Sequence, residues 1–310
     1  MRLSLLVGSC LACLAISPAS AQATAAASAT GDFLKRYDTS YNTLIVEKKG
    51  SIVEMRSIIG NAYFRESAVD LADPDKLIVP YVETLFAAAM FQPNPSRALM
   101  IGLGGGTFNR IFGQAYPQAS LTTVELDRKV QELATEHMGF TTSARNAVTI
   151  ADGRMGVRRN KDAKYDWLVV DAYKGNTVPP HLKTVEFYKE VARCLAPGGV
   201  AAFNLQDSTK LFDFDVATLE AAFPQVIYFK VPDAPNTIAI ASASASPRLE
   251  DQLKSFDAKN APAALRKRVD FARIEASRER PQRVTDAKVM TDDFAPAEYY
   301  QVVSRSRPSR

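Results

Sequence analysis

The sequence predicts an α/β protein organised around one nucleotide-binding βαβ unit, with a smaller β-rich part ahead of it. The unit lies in Ala98 to Asp127. Ala98 to Ile101 is a short apolar run suited to a buried strand. Gly102-Leu103-Gly104-Gly105-Gly106 follows, then a helical pattern from Phe108 to Gln114, then a second apolar run, Leu121 to Val124, ending on Glu125. Strand, glycine turn, helix, strand and terminal acid is the order of a nucleotide-binding unit. Glycines let the backbone turn tightly and approach a ligand that a Cβ would exclude. Glu125 can accept hydrogen bonds from two ribose hydroxyls.

The glycines fall at Gly102, Gly104 and Gly106, a GxGxG spacing rather than the dinucleotide GxGxxG. That favours an adenosine ligand without a pyrophosphate, such as S-adenosylmethionine or its decarboxylated form. A structural glycine turn in another α/β fold is the competing reading.

Composition sets the outer limits. The chain has 310 residues, 46% hydrophobic and 23% charged, the profile of a globular protein. A formal net charge of +4 is too small to argue for a nucleic-acid partner. Met1 to Ala21 reads as a secretory signal peptide: Arg2, an apolar Leu3 to Ile16, and Ala19-Ser20-Ala21 as cleavage site. Residues 22–36 are expected to be a flexible lead-in and the mature protein exported, to a periplasm. Cleavage removes Cys10 and Cys13, and the remaining Cys194 reads as a buried apolar residue. No later stretch is long and apolar enough to span a bilayer. His137 and His181 are isolated, so no metal site is expected.

In chain order, residues 37–92 form a β-rich cap with a connecting helix. Tyr41 to Arg56 suggests two strands about Lys48-Lys49-Gly50, and Ile58 to Phe64 a third. Pro80 to Met90 reads as a buried helix. Residues 93–245 hold the nucleoside-binding domain. Asp127 caps a helix to about Met138. Val148 to Ile150 is a third strand, ending in Ala151-Asp152-Gly153. Asp152 at that sheet edge could accept the adenine amino group, or simply cap the next helix. Tyr165 to Val170 is a fourth strand, ending in Asp171 before the Gly- and Pro-rich loop 172–181, a common location for chemistry. A helix from Thr184 to Leu195, stopped by Ala196-Pro197-Gly198-Gly199, and strands at Val200 to Asn204, Val226 to Phe229 and Thr237 to Ala241 complete it. Residues 246–303 form a C-terminal extension, helical and basic over Pro262 to Glu279, and 304–310 a basic tail. The basic helix reads as a solvated face rather than a site for an anionic partner. Asp292 and Asp293 could cap a helix or return to the cleft.

The chain resembles the spermidine synthase (polyamine aminopropyltransferase) family. The likeness runs from about Ser40 to Asn204, through SYNTLIVEKKG, PYVETLFAAAM, RALMIGLGGG, TVELD, IADGR, YDWLVVDAY and VPPHLKTVEFYKEVARCLAPGGVAAFNL. The closing MTDDFAPAEYY is similar to the ending of bacterial relatives. The resemblance implies a Rossmann-like class I methyltransferase-type domain with a small N-terminal β-rich domain, assembled as a homodimer. It implies transfer of an aminopropyl group from decarboxylated S-adenosylmethionine to a polyamine or diamine, without a metal. By position, Glu125 matches the ribose acid, Asp152 and Gly153 the pair beside adenine, and Asp171 the first acid of the strand-four loop. Tyr41, Tyr81 and Tyr173 fall on the substrate side.

Two departures stand out. The family turn carries an aspartate that binds the aminopropyl amine, and Gly105 stands there. The family loop reads DxxD, its second aspartate deprotonating the attacking amine, and Lys174 stands there; Asn42, for a glutamine, is milder. An ammonium at Lys174 would repel a cationic amine by about 4 kcal/mol at 4 Å and an effective dielectric near 20. Asp171 could substitute as base, with Asp292 or Asp293 folding back. Two further readings stay open: a methyltransferase, because Gly105 frees room and removes a negative charge near the S-adenosylmethionine carboxylate, and a non-catalytic exported binder of a nucleoside or polyamine.

Overall fold

The computed structural model describes residues 31–175, 177–282 and 286–296, so the expected signal peptide and the 304–310 tail lie outside the described residues. The chain begins with an antiparallel meander of β1 (Phe33–Asp38), β2 (Thr43–Lys49), β3 (Ile52–Ile59) and β4 (Ala62–Asp70). Alternation sets its inner face: Val53, Met55 and Ser57 on β3 are buried while their neighbours are partly exposed. β1 occupies part of the stretch expected as lead-in. The expected strand over Ile58 to Phe64 instead straddles a turn at Gly60, whose φ of 59° suits glycine. The third strand of the hairpin pair is therefore β4.

Helix α1 (Pro80–Leu85) continues as a 3₁₀ turn over Phe86–Met90. There follow β5 (Arg97–Ile101), α2 (Thr107–Ala115), β6 (Ser120–Glu125), α3 (Arg128–His137), β7 (Asn146–Ile150), α4 (Gly153–Arg159) and β8 (Tyr165–Val170). Then come α5 (Val185–Cys194), β9 (Leu195–Gln206), α6 (Leu211–Ala222), β10 (Gln225–Lys230) and β11 (Asn236–Ser242). The seven strands from β5 onward form one sheet in the order β10-β11-β9-β8-β5-β6-β7, with β11 antiparallel to both neighbours. This is the Rossmann-like methyltransferase-type α/β fold. β9 starts at Leu195, directly after α5, because a shift in its pairing with β8 absorbs the Pro197-Gly198-Gly199 stretch expected to be a plain helix stop.

Layers of apolar side chains fix these parts. α2 buries Phe108, Ile111 and Phe112, and Phe86 stacks on Phe108 at 4.7 Å. Leu44, Val46, Val53, Met55 and Val69 of the meander pack with Leu133 and Met138 at the end of α3. That contact seats β4 over the glycine turn. Cys194 is buried.

The basic stretch 262–279 is not one helix. It breaks into α8 (Ala263–Arg266) and α9 (Phe271–Ala276), after α7 (Leu249–Ser255). Leu265, Val269, Phe271 and Ile274 face the main core. Arg268 pairs with Asp73 at 2.8 Å and Arg273 with Glu83, so part of the basic charge is already neutralised. Among the described residues no helix is long and apolar enough to cross a membrane.

Candidate active site

Strand register builds the site. Ile101 on β5 pairs with Val124 on β6 and with Val170 on β8. The next residue of each strand, Gly102, Glu125 and Asp171, therefore emerges at the same carboxyl edge. β5 is also where strand order reverses, the position at which such sheets bind ligands. Val170 pairs with Phe203 on β9, which brings Asn204 level with Asp171.

The glycine turn is held by close packing. Gly102 has φ 97°, and a Cβ there would lie 2.1 Å from the Asp171 carbonyl oxygen. At Gly106, φ 75°, a Cβ would lie 2.2 Å from the Phe140 ring. Gly104, φ 54°, sits against Ser67 and the Glu66 carbonyl. The Glu125 carboxylate accepts the Leu103 amide at 2.9 Å and the Asp127 amide at 2.8 Å, which ties the turn to β6. Burial pushes the Glu125 carboxyl up, against the pull of those amides. Each carboxylate oxygen retains a further lone pair. Asp127 caps α3 through Oδ1 on the Lys129 amide at 2.9 Å. Its Oδ2 is buried with no hydrogen-bond partner among the described residues. The turn thus keeps spare acceptors for a hydroxyl-bearing ligand.

Asp152 caps α4, its Oδ1 accepting the Met155 amide at 3.0 Å, while its Oδ2 lies 2.7 Å from His181 Nε2. Burial alone would push its carboxyl up, but the Met155 amide and His181 outweigh it and leave the carboxyl below the usual range. Gly153 packs on β5: a Cβ would sit 2.5 Å from Ile101 Cγ2.

A polar chain supports Asp171. Asn236 Nδ2 donates to Asn204 Oδ1 at 2.9 Å, and Asn204 Nδ2 donates to Asp171 Oδ1 at 2.8 Å. The Tyr173 hydroxyl donates to the Asn204 carbonyl at 2.9 Å. The Tyr81 hydroxyl stands beside Asp171. Burial pushes Asp171 up to about 6, although Asn204 and Tyr81 oppose the shift. Burial also raises Tyr81 and Tyr173 well above an ordinary phenol, with the Asp171 charge adding to it.

A second carboxylate, Glu66 on β4, enters from the other sheet. Its Oε1 accepts the Gly175 amide at 3.1 Å, inside the loop that Asp171 opens. Burial pushes it up to about 7, the neighbouring Ser57 hydroxyl and the Gly175 amide oppose this, and the charges of Asp171 and Glu125 add to it. Among the described residues, no lysine, arginine or histidine pairs with Glu66 or Asp171.

The structure thus gathers Gly102, Gly104, Gly105, Gly106, Glu125, Asp171, Tyr81 and Tyr173, with Asp152 and Gly153 along the same sheet edge. Tyr41 is different: it is 44% exposed in the β1–β2 turn, and its amide bonds locally to Thr39. Gly105 does not free room, because a Cβ there would lie 2.6 Å from Ser67 Oγ and 2.8 Å from Met138 Cε. Lys174 is exposed, where water cuts repulsion of a cation to about 1 kcal/mol at 4 Å. Asp292 does not return to the cleft: Arg154 holds it at 2.7 and 2.8 Å, and Thr184 Oγ1 at 2.7 Å. Asp293 is exposed. Among the described residues no cluster could hold a metal ion.

Sequence reasoning missed Glu66, Asn204 and Asn236. Asn204 carried a signal, as the polar end of the apolar run Val200 to Phe203 at the ligand edge. Glu66 carried none, being one charge among several on a half-exposed strand.

The family model for the spermine/spermidine synthase domain matches residues 79–249, more than half of the chain. The chain belongs to the spermine/spermidine synthase family. The polyamine aminopropyltransferase of Vibrio vulnificus is 30% identical over 243 residues, covering 75% of this chain and 80% of that protein. The spermidine synthase of Thermotoga maritima matches the fold with a TM-score of 0.62 at 21% identity, over 80% of this chain and 84% of that one. A spermidine synthase solved with the transition-state analogue AdoDATO matches with a TM-score of 0.61, also at 21% identity, over 80% of this chain and 84% of its own.

Proposed function

We propose that the protein transfers an aminopropyl group from decarboxylated S-adenosylmethionine to a diamine or polyamine. The observation that carries this reading is the pairing, at one sheet edge, of a glycine turn with half-buried carboxylates that have no cationic partner among the described residues. Glu125 and the glycine turn would hold the ribose, with Gly153 and Asp152 flanking the adenine. Asp171, steadied by Asn204 and Tyr81, would face the sulfonium side. Buried carboxylates without a counter-ion are costly, and a cationic substrate would offset that cost. Decarboxylated S-adenosylmethionine carries an ammonium and no carboxylate, which suits this field.

A methyltransferase reading is less well supported. The room it would need at Gly105 is taken by Ser67 and Met138, and Glu66 and Asp171 would repel the carboxylate of S-adenosylmethionine. A non-catalytic binder remains the other outcome of the test. We also propose export through Met1 to Ala21 to a periplasm and assembly as a homodimer, tested by cell fractionation and by mass in solution.

The test of function incubates the protein with decarboxylated S-adenosylmethionine and a panel of diamines and polyamines. Methylthioadenosine and the lengthened amine are expected in equal amounts. Methylation with S-adenosylmethionine, or ligand stabilisation without any product, would replace this reading with one of the other two.

A further inference from the structure

The pairing of β3 with β4 is irregular at one point. Met55 faces Ser67 and Arg56 faces Arg65, so Glu66 is the extra, unpaired residue of a β-bulge. A bulge re-aims side chains, and such features recur beside active sites. Here it lets two consecutive residues serve the nucleotide domain. Ser67 Oγ lies 2.6 Å from where a Cβ of Gly105 would be, and Glu66 reaches the Gly175 amide at 3.1 Å. Gly175 directly follows Lys174. A carboxylate therefore arrives from the meander beside the very position where the family loop would carry its second aspartate.

The loop is shaped to receive it. Gly175 has φ 65°, and a Cβ there would lie 2.4 Å from Ile59 Cδ1, so the β3–β4 end packs directly on the loop backbone. The groups facing Glu66 are Ser57 on β3, the Gly175 amide and Asp171 of the loop, Glu125 at the end of β6, and Tyr81 on α1. Those other carboxylates repel its charge, and no cation among the described residues answers it.

We propose that Glu66 is the catalytic carboxylate that binds the acceptor amine and takes its proton. This rests on the transfer reading above. The amine nitrogen lone pair attacks the aminopropyl carbon bound to the sulfonium. A C–N bond forms, the C–S bond breaks, and its electron pair returns to sulfur, giving methylthioadenosine. The proton lost by the amine nitrogen passes to a Glu66 oxygen. A base that titrates near neutrality is suited to that task.

The test uses full-length protein loaded with methylthioadenosine, titrated with putrescine and spermidine by calorimetry, and compares wild type with Glu66→Gln and Glu66→Asp. The amide in Glu66→Gln keeps an oxygen for Gly175. Amine affinity is expected to fall at least about 30-fold in Glu66→Gln and to recover in part in Glu66→Asp, with methylthioadenosine affinity changed less than about 2-fold (ratios read through). With decarboxylated S-adenosylmethionine, kcat is expected to fall about 10²- to 10⁴-fold in Glu66→Gln, and the limb of the pH profile near neutrality to disappear. Unchanged amine affinity in Glu66→Gln, a wild type that binds no amine, or a Glu66→Gln protein that does not fold would each overturn the proposal. A wild type that binds amines through Glu66 yet forms no methylthioadenosine would leave the amine site standing and remove the transfer reading. Normal turnover by Glu66→Gln would do the reverse.

Discussion

Two sets of carboxylates are treated differently by the fold: a fully buried one between α5 and α6, and a half-buried pair at the cleft. Between α5 and α6, Asp215 is fully buried, and Lys183 Nζ lies 2.7 Å from both of its oxygens. At the cleft, the groups that meet Glu66 and Asp171 among the described residues are neutral: the Gly175 amide, Asn204 and neighbouring hydroxyls. The first charge is neutralised by the chain itself, so that region is complete without a ligand. The second has no such partner among the described residues; desolvation raises both carboxyls toward neutrality, and the proposed function reads the cleft as a receptor for a cation. Glu125 is intermediate: buried like the others, yet tied to backbone amides that form the nucleoside turn.

This contrast can be broken most severely at the structural pair. Lys183→Met leaves Asp215 buried and unpaired, and should destabilise the protein by about 3–5 kcal/mol. Glu66→Gln should shift the ligand-free protein by less than about 1 kcal/mol, toward greater stability at pH 8, because it removes a repelled charge. Denaturant unfolding of both variants checks this; equal losses would erase the distinction. Next in size is Gly102→Ala, which forces a residue with a side chain to φ 97° and into the Asp171 carbonyl. A cost above about 2 kcal/mol is expected, with loss of nucleoside binding. Glu125→Gln sharpens the comparison from the nucleoside side. Methylthioadenosine affinity should fall about 30-fold, as a charge-assisted hydrogen bond is worth about 2 kcal/mol. Glutamine is preferred to alanine because its one amide oxygen can still accept from either the Leu103 or the Asp127 amide, whereas alanine would orphan both. Undiminished affinity by calorimetry would dissociate Glu125 from the ribose.

Much of the sheet was legible in the sequence because buried parallel strands are short apolar runs bounded by turns. Ala98–Ile101, Tyr165–Val170 and the acids that end their neighbours fall at the edge the register requires. The proposed nucleoside half of the site was legible as a turn for the same reason: its parts are contiguous, and the turn needs glycine at fixed places. The proposed amine half was not. Glu66 comes from a different sheet and owes its direction to a bulge, which arises from pairing between distant segments and leaves no local pattern. Lys174 looked decisive by position, but its exposure makes it weak. Asp292 looked available, but Arg154, far away in sequence, claims it. The single basic helix failed because Arg268, Val269 and Asp270 bind the chain to α1 and the core instead of continuing a turn.

The smallest expected effect is also the most direct test of a cleft that awaits a cation. Glu66 binds its proton more tightly in the folded chain than in the unfolded one, at about 7 against an ordinary 4.5. Its contribution to stability is therefore full below pH 4.5 and is lost as pH rises through 7. Asp171, at about 6, acts in the same direction. His137, which burial lowers, acts oppositely but only up to its ordinary value of 6.5, so the variant serves as reference. The melting temperature of wild type relative to Glu66→Gln should fall by about 2–4 °C between pH 6 and pH 8, the equivalent of about 1 kcal/mol. Putrescine at pH 8 should restore it, and sodium chloride of equal ionic strength should not. A flat difference between the two proteins, or equal rescue by salt, would contradict a half-buried negative site built for an amine.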